Sequence, residues 1–315
     1  MGVCRNGHKA LSCSADRWLP IRYPMIFAQR LSKRYGATLA LDRLDLTVPS
    51  GAVFGLLGPN GSGKTTFIKL LLGLIFPDAG SIESGALAAR QIGYLPERIA
   101  LPPRSRIGEY LRLCAYLDGL RGAALDDAVA ARLRQVGLDQ VASQRIGSCS
   151  KGMLQRLGLA VALIGDPPLL VLDEPMEGLD PAWQKTVRDL TGQLRRDGKT
   201  ILLSTHRLSD VAELCDHVAI LSQGQLKRAG ALTDVLPLRE RVVIEVDRVP
   251  QLLAGELATL GSGVAWYDSL VMLEGPGVAA KRDVLQLLLQ AGVDVRGLRQ
   301  ERMTLEEVYL EAMRA

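Results

Sequence analysis

The sequence predicts an α/β fold with an inserted helical region and a small α+β unit at its C-terminal end. Three observations carry that expectation. An apolar run, Ala52 to Leu57, leads into the glycine-rich stretch Gly58-Pro59-Asn60-Gly61-Ser62-Gly63-Lys64-Thr65-Thr66, and a second apolar stretch, Phe67 to Ile75, follows it. A buried-strand pattern recurs at Leu169-Leu170-Val171-Leu172 and ends on Asp173 and Glu174. After Leu238 the strand and helix patterns start afresh.

The glycine-rich stretch fits G-x-x-x-x-G-K-[ST], the phosphate-binding loop of the P-loop NTPases. Its glycines permit positive φ and close approach of the backbone to a ligand. Successive N–H groups and the N-terminus of the following helix then favour an anion. In this motif the lysine, Lys64, reaches the β- and γ-phosphates, and the Thr65 hydroxyl coordinates Mg²⁺.

Composition is that of a globular chain. Of 315 residues, 48% are apolar and 23% charged, which allows one large domain or two ordinary ones. No apolar run reaches the roughly 18 residues that a membrane span needs; the longest, Phe67 to Phe76, carries Lys69. If the protein serves a membrane, another chain crosses it. A net charge of +4, without a basic stripe carrying interleaved aromatics, gives no support to nucleic-acid binding. Five widely spaced cysteines do not suggest a disulfide framework and suit a reducing compartment.

In chain order, residues 1–24 lack periodicity and read as a flexible extension, with Met25 as the expected start of the folded protein. Cys4, His8 and Cys13 lack a fourth ligand at zinc-site spacing. Ile26 to Val48 alternates like paired strands around a turn at Tyr35-Gly36. Tyr35 has two readings, stacking on a nucleotide base and ordinary strand packing. A strand returns at Gln91 to Leu95, followed by Pro96 and Glu97. Residues 105–164 form the helical insertion, within which Ser150 is placed to cap a helix.

The run from Leu169 reads as a buried parallel strand delivering carboxylates at its C-terminal end, where ligands bind in open α/β sheets. Asp173 is the candidate Mg²⁺ ligand and Glu174 the group that polarises an attacking water. The strand Thr200 to Ser204 ends at Thr205-His206, which sets His206 beside the expected γ-phosphate; His217, at the start of a later strand, is read as structural.

Together these residues resemble the nucleotide-binding subunit of ABC transporters, over about Ile26 to Val235. The specific part is Cys149-Ser150-Lys151-Gly152-Met153 before Gln155-Arg156, which is similar to the ABC signature. That resemblance implies a base-stacking role for Tyr35, catalytic roles for Glu174 and His206, and a D-loop role for Asp180. It makes Ser150, Lys151, Gly152 and Met153 a signature that acts in trans, with Thr65, Glu97 and Asp173 serving the metal. Two departures stand out. The usual signature is Leu-Ser-Gly-Gly-Gln, and a lysine and methionine in it resemble the branch that pairs with ABC-2-type permeases. Glu97 stands where the family has the glutamine of the Q-loop.

The implied protein is a Mg²⁺-dependent ATPase converting ATP and water to ADP and phosphate. In the family the phosphate loop and signature lie on different subdomains, so two copies pack head-to-tail with each ATP between them. The implied partners are a second copy and an integral-membrane permease, which holds the subunit on the cytoplasmic face. The expected division is residues 25–236 for the ATPase and 237–315 for an accessory unit in a βαββαβα pattern, suited to dimerisation, regulation or partner contact. Rival readings fit less well. A soluble ABC protein acting on ribosomes usually carries two ATPase modules. An SMC-like protein needs long heptad coils. A GTPase needs Asn-Lys-x-Asp, whereas Asn6 and Asn60 both precede glycine.

Overall fold

The computed structural model describes residues 24–85, 87 and 91–314. Residues 1–23 of the expected extension, its three candidate ligands among them, lie outside the described residues, while Pro24 already belongs to the first strand. β1 (Pro24–Tyr35) and β2 (Thr38–Pro49) pair antiparallel around a turn at Gly36. Leu44, Leu46 and Val48 are buried while the residues between them are exposed, the period of a strand with one covered face. β3 (Val53–Leu57) is buried at all five positions, as befits a strand covered on both faces.

Next comes α1 (Lys64–Leu71). It begins three residues before, and ends four before, the stretch that apolar spacing suggests. Its first turn, Lys64-Thr65-Thr66, is polar yet helical and holds no acid, which leaves its N-terminal dipole free for an anion. Its end is set by Gly73, at φ 67. The Leu74 amide donates to the Lys69 carbonyl at 2.9 Å and the Gly73 amide to that of Leu70 at 3.1 Å, a Schellman closure.

β4 (Ala79–Glu83) returns to β1, completing a three-stranded sheet in the order β2-β1-β4, and β5 (Ile92–Leu95) enters a second sheet. The expected helical insertion contains α2 (Ile107–Leu117), α3 (Gly122–Gln135) and α4 (Lys151–Ala162). Then follow β6 (Leu169–Asp173), α5 (Pro181–Arg196), β7 (Thr200–Thr205), α6 (Leu208–Leu214), β8 (His217–Ser222), β9 (Gln225–Ala231) and α7 (Leu232–Val235).

The second sheet runs β5-β6-β7-β3-β8-β9; β5 to β8 are parallel and β9 is antiparallel to β8. This mixed sheet is the α/β architecture that the sequence predicts, with the glycine-rich loop leaving the central strand β3. Parallel pairing brings the C-terminal ends of β3, β5, β6 and β7 to one edge, where Gly58, Glu97, Glu174 and His206 follow. One core lies on each side of the sheet. Phe54, Leu56, Phe67 and Val171 belong to one, and Val53, Leu57, Leu157 and Leu172 to the other.

A third sheet is built from β10 (Leu238–Val246), β11 (Val264–Tyr267), β12 (Leu270–Glu274) and β13 (Val295–Arg302). Its order, β11-β12-β10-β13, with every pair antiparallel, is the split βαβ arrangement. α8 (Ala254–Thr259) and α9 (Lys281–Gln290) cover it and enclose a separate core that includes Ile244, Leu257, Val271 and Leu288.

The last helix, α10 (Leu305–Arg314), does not complete that unit. Leu305, Val308 and Ala312 enter the core that holds Val211, Val218, Ile220 and Val235, against α6, β8 and β9. The Arg302 guanidinium donates to the Thr233 and Leu236 carbonyls at 2.6 and 2.9 Å, and Arg228 pairs with Glu311 at 3.2 Å. Leu305→Ala is expected to destabilise the protein by about 2–5 kcal/mol, read as a lower urea midpoint of the full chain.

Candidate functional site

The loop after β3 is shaped by its glycines. Gly63 sits at φ 106, and a Cβ there would lie 2.6 Å from the Ala40 carbonyl oxygen; one on Gly58 would lie 2.4 Å from that of Leu221. Lys64, only 7% exposed, folds its ammonium over the loop and donates to the Gly58 and Pro59 carbonyls at 2.6 and 3.1 Å. Burial pushes its pKa down, while the nearby carboxylates of Glu174, Asp173 and Glu97 work in the opposite direction. Ser62 Oγ is buried without a hydrogen-bond partner among the described residues. A cradle that excludes side chains, holds a buried cation and leaves a hydroxyl unpaired suits a polyphosphate.

The acids stand at the ends of the neighbouring strands. Asp173 closes β6, is 2% exposed, and accepts a hydrogen bond from the Ser204 hydroxyl of β7. Burial holds its pKa above the ordinary carboxylate value, against the pull of that hydroxyl. Glu174 follows at φ 49, a left-handed conformation that costs a non-glycine residue on the order of 1–3 kcal/mol. Its amide donates to the Ser204 carbonyl at 3.1 Å. Its carboxylate lies 2.8 Å from His206 Nδ1, which donates to it when protonated. The backbone strain thus fixes where the Glu174 side chain emerges, and His206 fixes where it points.

The raised pKa of Asp173 has a stability consequence. The folded protein retains a proton that the unfolded chain has released, so the group costs stability as pH rises through the ordinary carboxylate range toward its raised value, and the full cost persists above that value. Asp173→Asn is therefore expected to raise the thermal midpoint of the nucleotide-free protein at neutral pH. The gain should shrink toward about pH 4, as scanning calorimetry across pH would record.

A cleft of about 710 Å³ joins loop and acids, within the roughly 300–1,000 Å³ of ligand pockets. Asn60 to Thr66, Glu97, Asp173, Glu174 and His206 line it. Thr65, Asp173 and Glu97 offer only oxygen donors, the type that Mg²⁺ takes. Among the described residues no three His, Cys, Asp or Glu side chains converge on one metal position. None is required where a metal rests on one or two carboxylates and substrate phosphates.

Tyr35 does not line the cleft. It is 46% exposed, with the Lys33 ammonium 5.8 Å from its ring centre, and the next three wall residues are Thr38, Leu39 and Ala40. Nor do the signature residues line it. Ser150 caps α4, its hydroxyl accepting from the Met153 amide at 3.2 Å. Lys151 reaches Glu177 at 2.6 Å, and a Cβ on Gly152 would lie 3.5 Å from the Gly178 carbonyl oxygen. Asp180 caps α5, accepting from the Trp183 amide at 3.0 Å.

The structure adds residues that motif spacing misses. Arg98, Glu177 and Gln223 also line the cleft. Gln155, buried in α4, extends its amide to within 3.5 Å of the Glu174 carbonyl and 3.4 Å of the Pro175 carbonyl, joining α4 to the exit of β6. A polar residue on the buried face of α4 is the signal that marks it.

Comparison with known proteins places this geometry. The ABC transporter family model matches residues 41–177, from β2 through the acidic end of β6. The uncharacterized ABC transporter ATP-binding protein YxlF of Bacillus subtilis is 34% identical over 297 residues, covering 92% of this chain and 100% of that protein. The Nod factor export ATP-binding protein I of Cupriavidus pinatubonensis is 36% identical over 241 residues, 73% of this chain and 74% of that one. A solved structure of the ATP-binding subunit of an ABC transporter superposes with a TM-score of 0.63 at 33% identity, covering 67% of this chain and 91% of its own. Matched along the whole of one such relative, the chain belongs to the ABC transporter ATP-binding protein family.

Proposed function

We propose that this chain hydrolyses ATP as a head-to-tail dimer and powers a separate ABC-2-type export permease. The observation that carries the catalytic part is Glu174, held by His206 at the sheet edge beside Lys64 and Asp173. Lys64 and the loop amides bind the triphosphate. Thr65, Asp173 and Glu97 would hold Mg²⁺, which when bound would neutralise charge developing on the phosphate. Glu174 orients the attacking water and takes its proton, and His206 keeps the carboxylate on that line. Tyr35 serves the base as the chains close.

The absence of Ser150, Gly152 and Met153 from the chain's own cleft supports the dimer. These residues then reach the nucleotide of the second copy, with Lys151 beside them and Asp180 at the shared seam. The export reading draws on the Nod factor export relative and on the Lys151-Gly152-Met153 signature. Among the described residues no helix is long and apolar enough to cross a membrane, which suits a subunit held at the cytoplasmic face by its permease. Residues 25–236, with α10 packed back on them, supply the ATPase domain, and the sheet of β10 to β13 with α8 and α9 supplies the accessory unit.

Light scattering of the Glu174→Gln protein tests the dimer. With ATP and Mg²⁺ it is expected to double in mass, and with ADP to stay at the mass of one chain. A single-chain mass at saturating ATP rejects the sandwich. Native protein that sediments with ribosomes, with none in the membrane fraction, rejects the transport role in favour of a soluble ABC ATPase.

A further inference from the structure

We propose that Gln223 is a nucleotide-binding residue, its side-chain amide meeting the ribose and α-phosphate end of ATP. The proposal rests on the ATP-binding reading of the phosphate loop. Gln223 and Gly224 form the two-residue turn between β8 and β9, at φ 50 and φ 77. Such a turn needs positive φ at both positions and favours Asn-Gly or Gly-Gly. A glutamine is a strained choice for the first position, so turn formation alone does not account for it.

The turn is clamped against the loop. The Gly224 amide donates to the Ser62 carbonyl at 3.0 Å, and the Asp42 amide donates to the Gly224 carbonyl at 2.9 Å. A Cβ on Gly224 would lie 2.7 Å from the Ala40 carbonyl oxygen. Gln223 is thereby fixed at the cleft wall, exposed, and its amide has no hydrogen-bond partner among the described residues. Gln225, two residues on, shows the contrast: its amide donates to Asp42 at 3.1 Å and is used within the fold.

Sheet order decides which part of the nucleotide Gln223 meets. Asp173 and Glu174 close and follow β6 and His206 follows β7, both on one side of β3. Gln223 follows β8, on the other side of β3. With the γ-phosphate directed toward Glu174, the opposite side of the loop faces the ribose and α-phosphate. A neutral amide suits that place, because it donates to a phosphate oxygen and accepts from a ribose hydroxyl.

Titration of ATP with Mg²⁺ into the full chain, followed by calorimetry, tests this. Gln223→Gly relieves the turn, so its thermal midpoint should rise while its ATP affinity falls by roughly three- to tenfold. Gln223→Glu keeps the length but sets a negative charge toward phosphate, and should bind more weakly still. The expected order of affinity is wild type, then glycine, then glutamate; any other order overturns the proposal. Lys64→Ala is the control. If it too binds ATP normally, the reading of the whole cleft fails; if it loses ATP while Gln223→Gly binds like wild type, the proposal for Gln223 alone fails.

Discussion

Glu174→Gln is expected to lower ATP turnover by about 10²–10⁴-fold, the range that a positioned general base contributes, while ATP still binds. The substitution is nearly isosteric, so the left-handed backbone and the tie to the Ser204 carbonyl persist. An amide still meets His206 but accepts no proton from water. Binding should hold or tighten, because one of the negative charges that Lys64 senses is removed where a triphosphate must sit. Steady-state phosphate release and equilibrium ATP binding, measured on one preparation, separate the two effects. Turnover above about a tenth of wild type counts against Glu174 as the catalytic carboxylate.

Lys64→Ala is expected to act on binding. The ammonium is the buried cation at the loop, and charge-assisted hydrogen bonds of the kind it offers are worth about 1.5–3 kcal/mol, or roughly 10–100-fold in affinity. It also holds the Gly58 and Pro59 carbonyls inward, so its loss loosens the cradle from within. Displacement of a fluorescent ATP analogue reads the effect. Wild-type affinity in this variant shows that the phosphate lies elsewhere.

Much of this was legible in the residues because the chemistry is local. The glycine spacing, the lysine and the two acids after an apolar run are short-range patterns, and the parallel sheet then brings them to one edge. Other features depend on distant partners. The polar first turn of α1 carries no periodicity, so apolar spacing finds the helix only from Phe67, three residues after it begins. Whether Tyr35 or Thr38 to Ala40 lines the cleft depends on how the β1–β2 turn lies over the loop. Gln223 looks like any hairpin residue until the turn is seen clamped to Ser62. In α10, the spacing of Leu305, Val308 and Ala312 announces an apolar face, but nothing in it says which core receives that face.

The return of α10 changes what kind of part the C-terminal sheet is. It is an insertion with two attachments, Leu236-Pro237 at its entry and α10 at its exit, rather than an appendage on one linker. A fragment ending at residue 236 would leave Val211, Val218 and Ile220 without the helix that covers them, and with them apolar surface open to water. A sheet held at both ends does not swing freely: its displacement must bend the entry segment or pull on α10. Since α10 packs on α6, which starts two residues after His206, the sheet and His206 share one mechanical support.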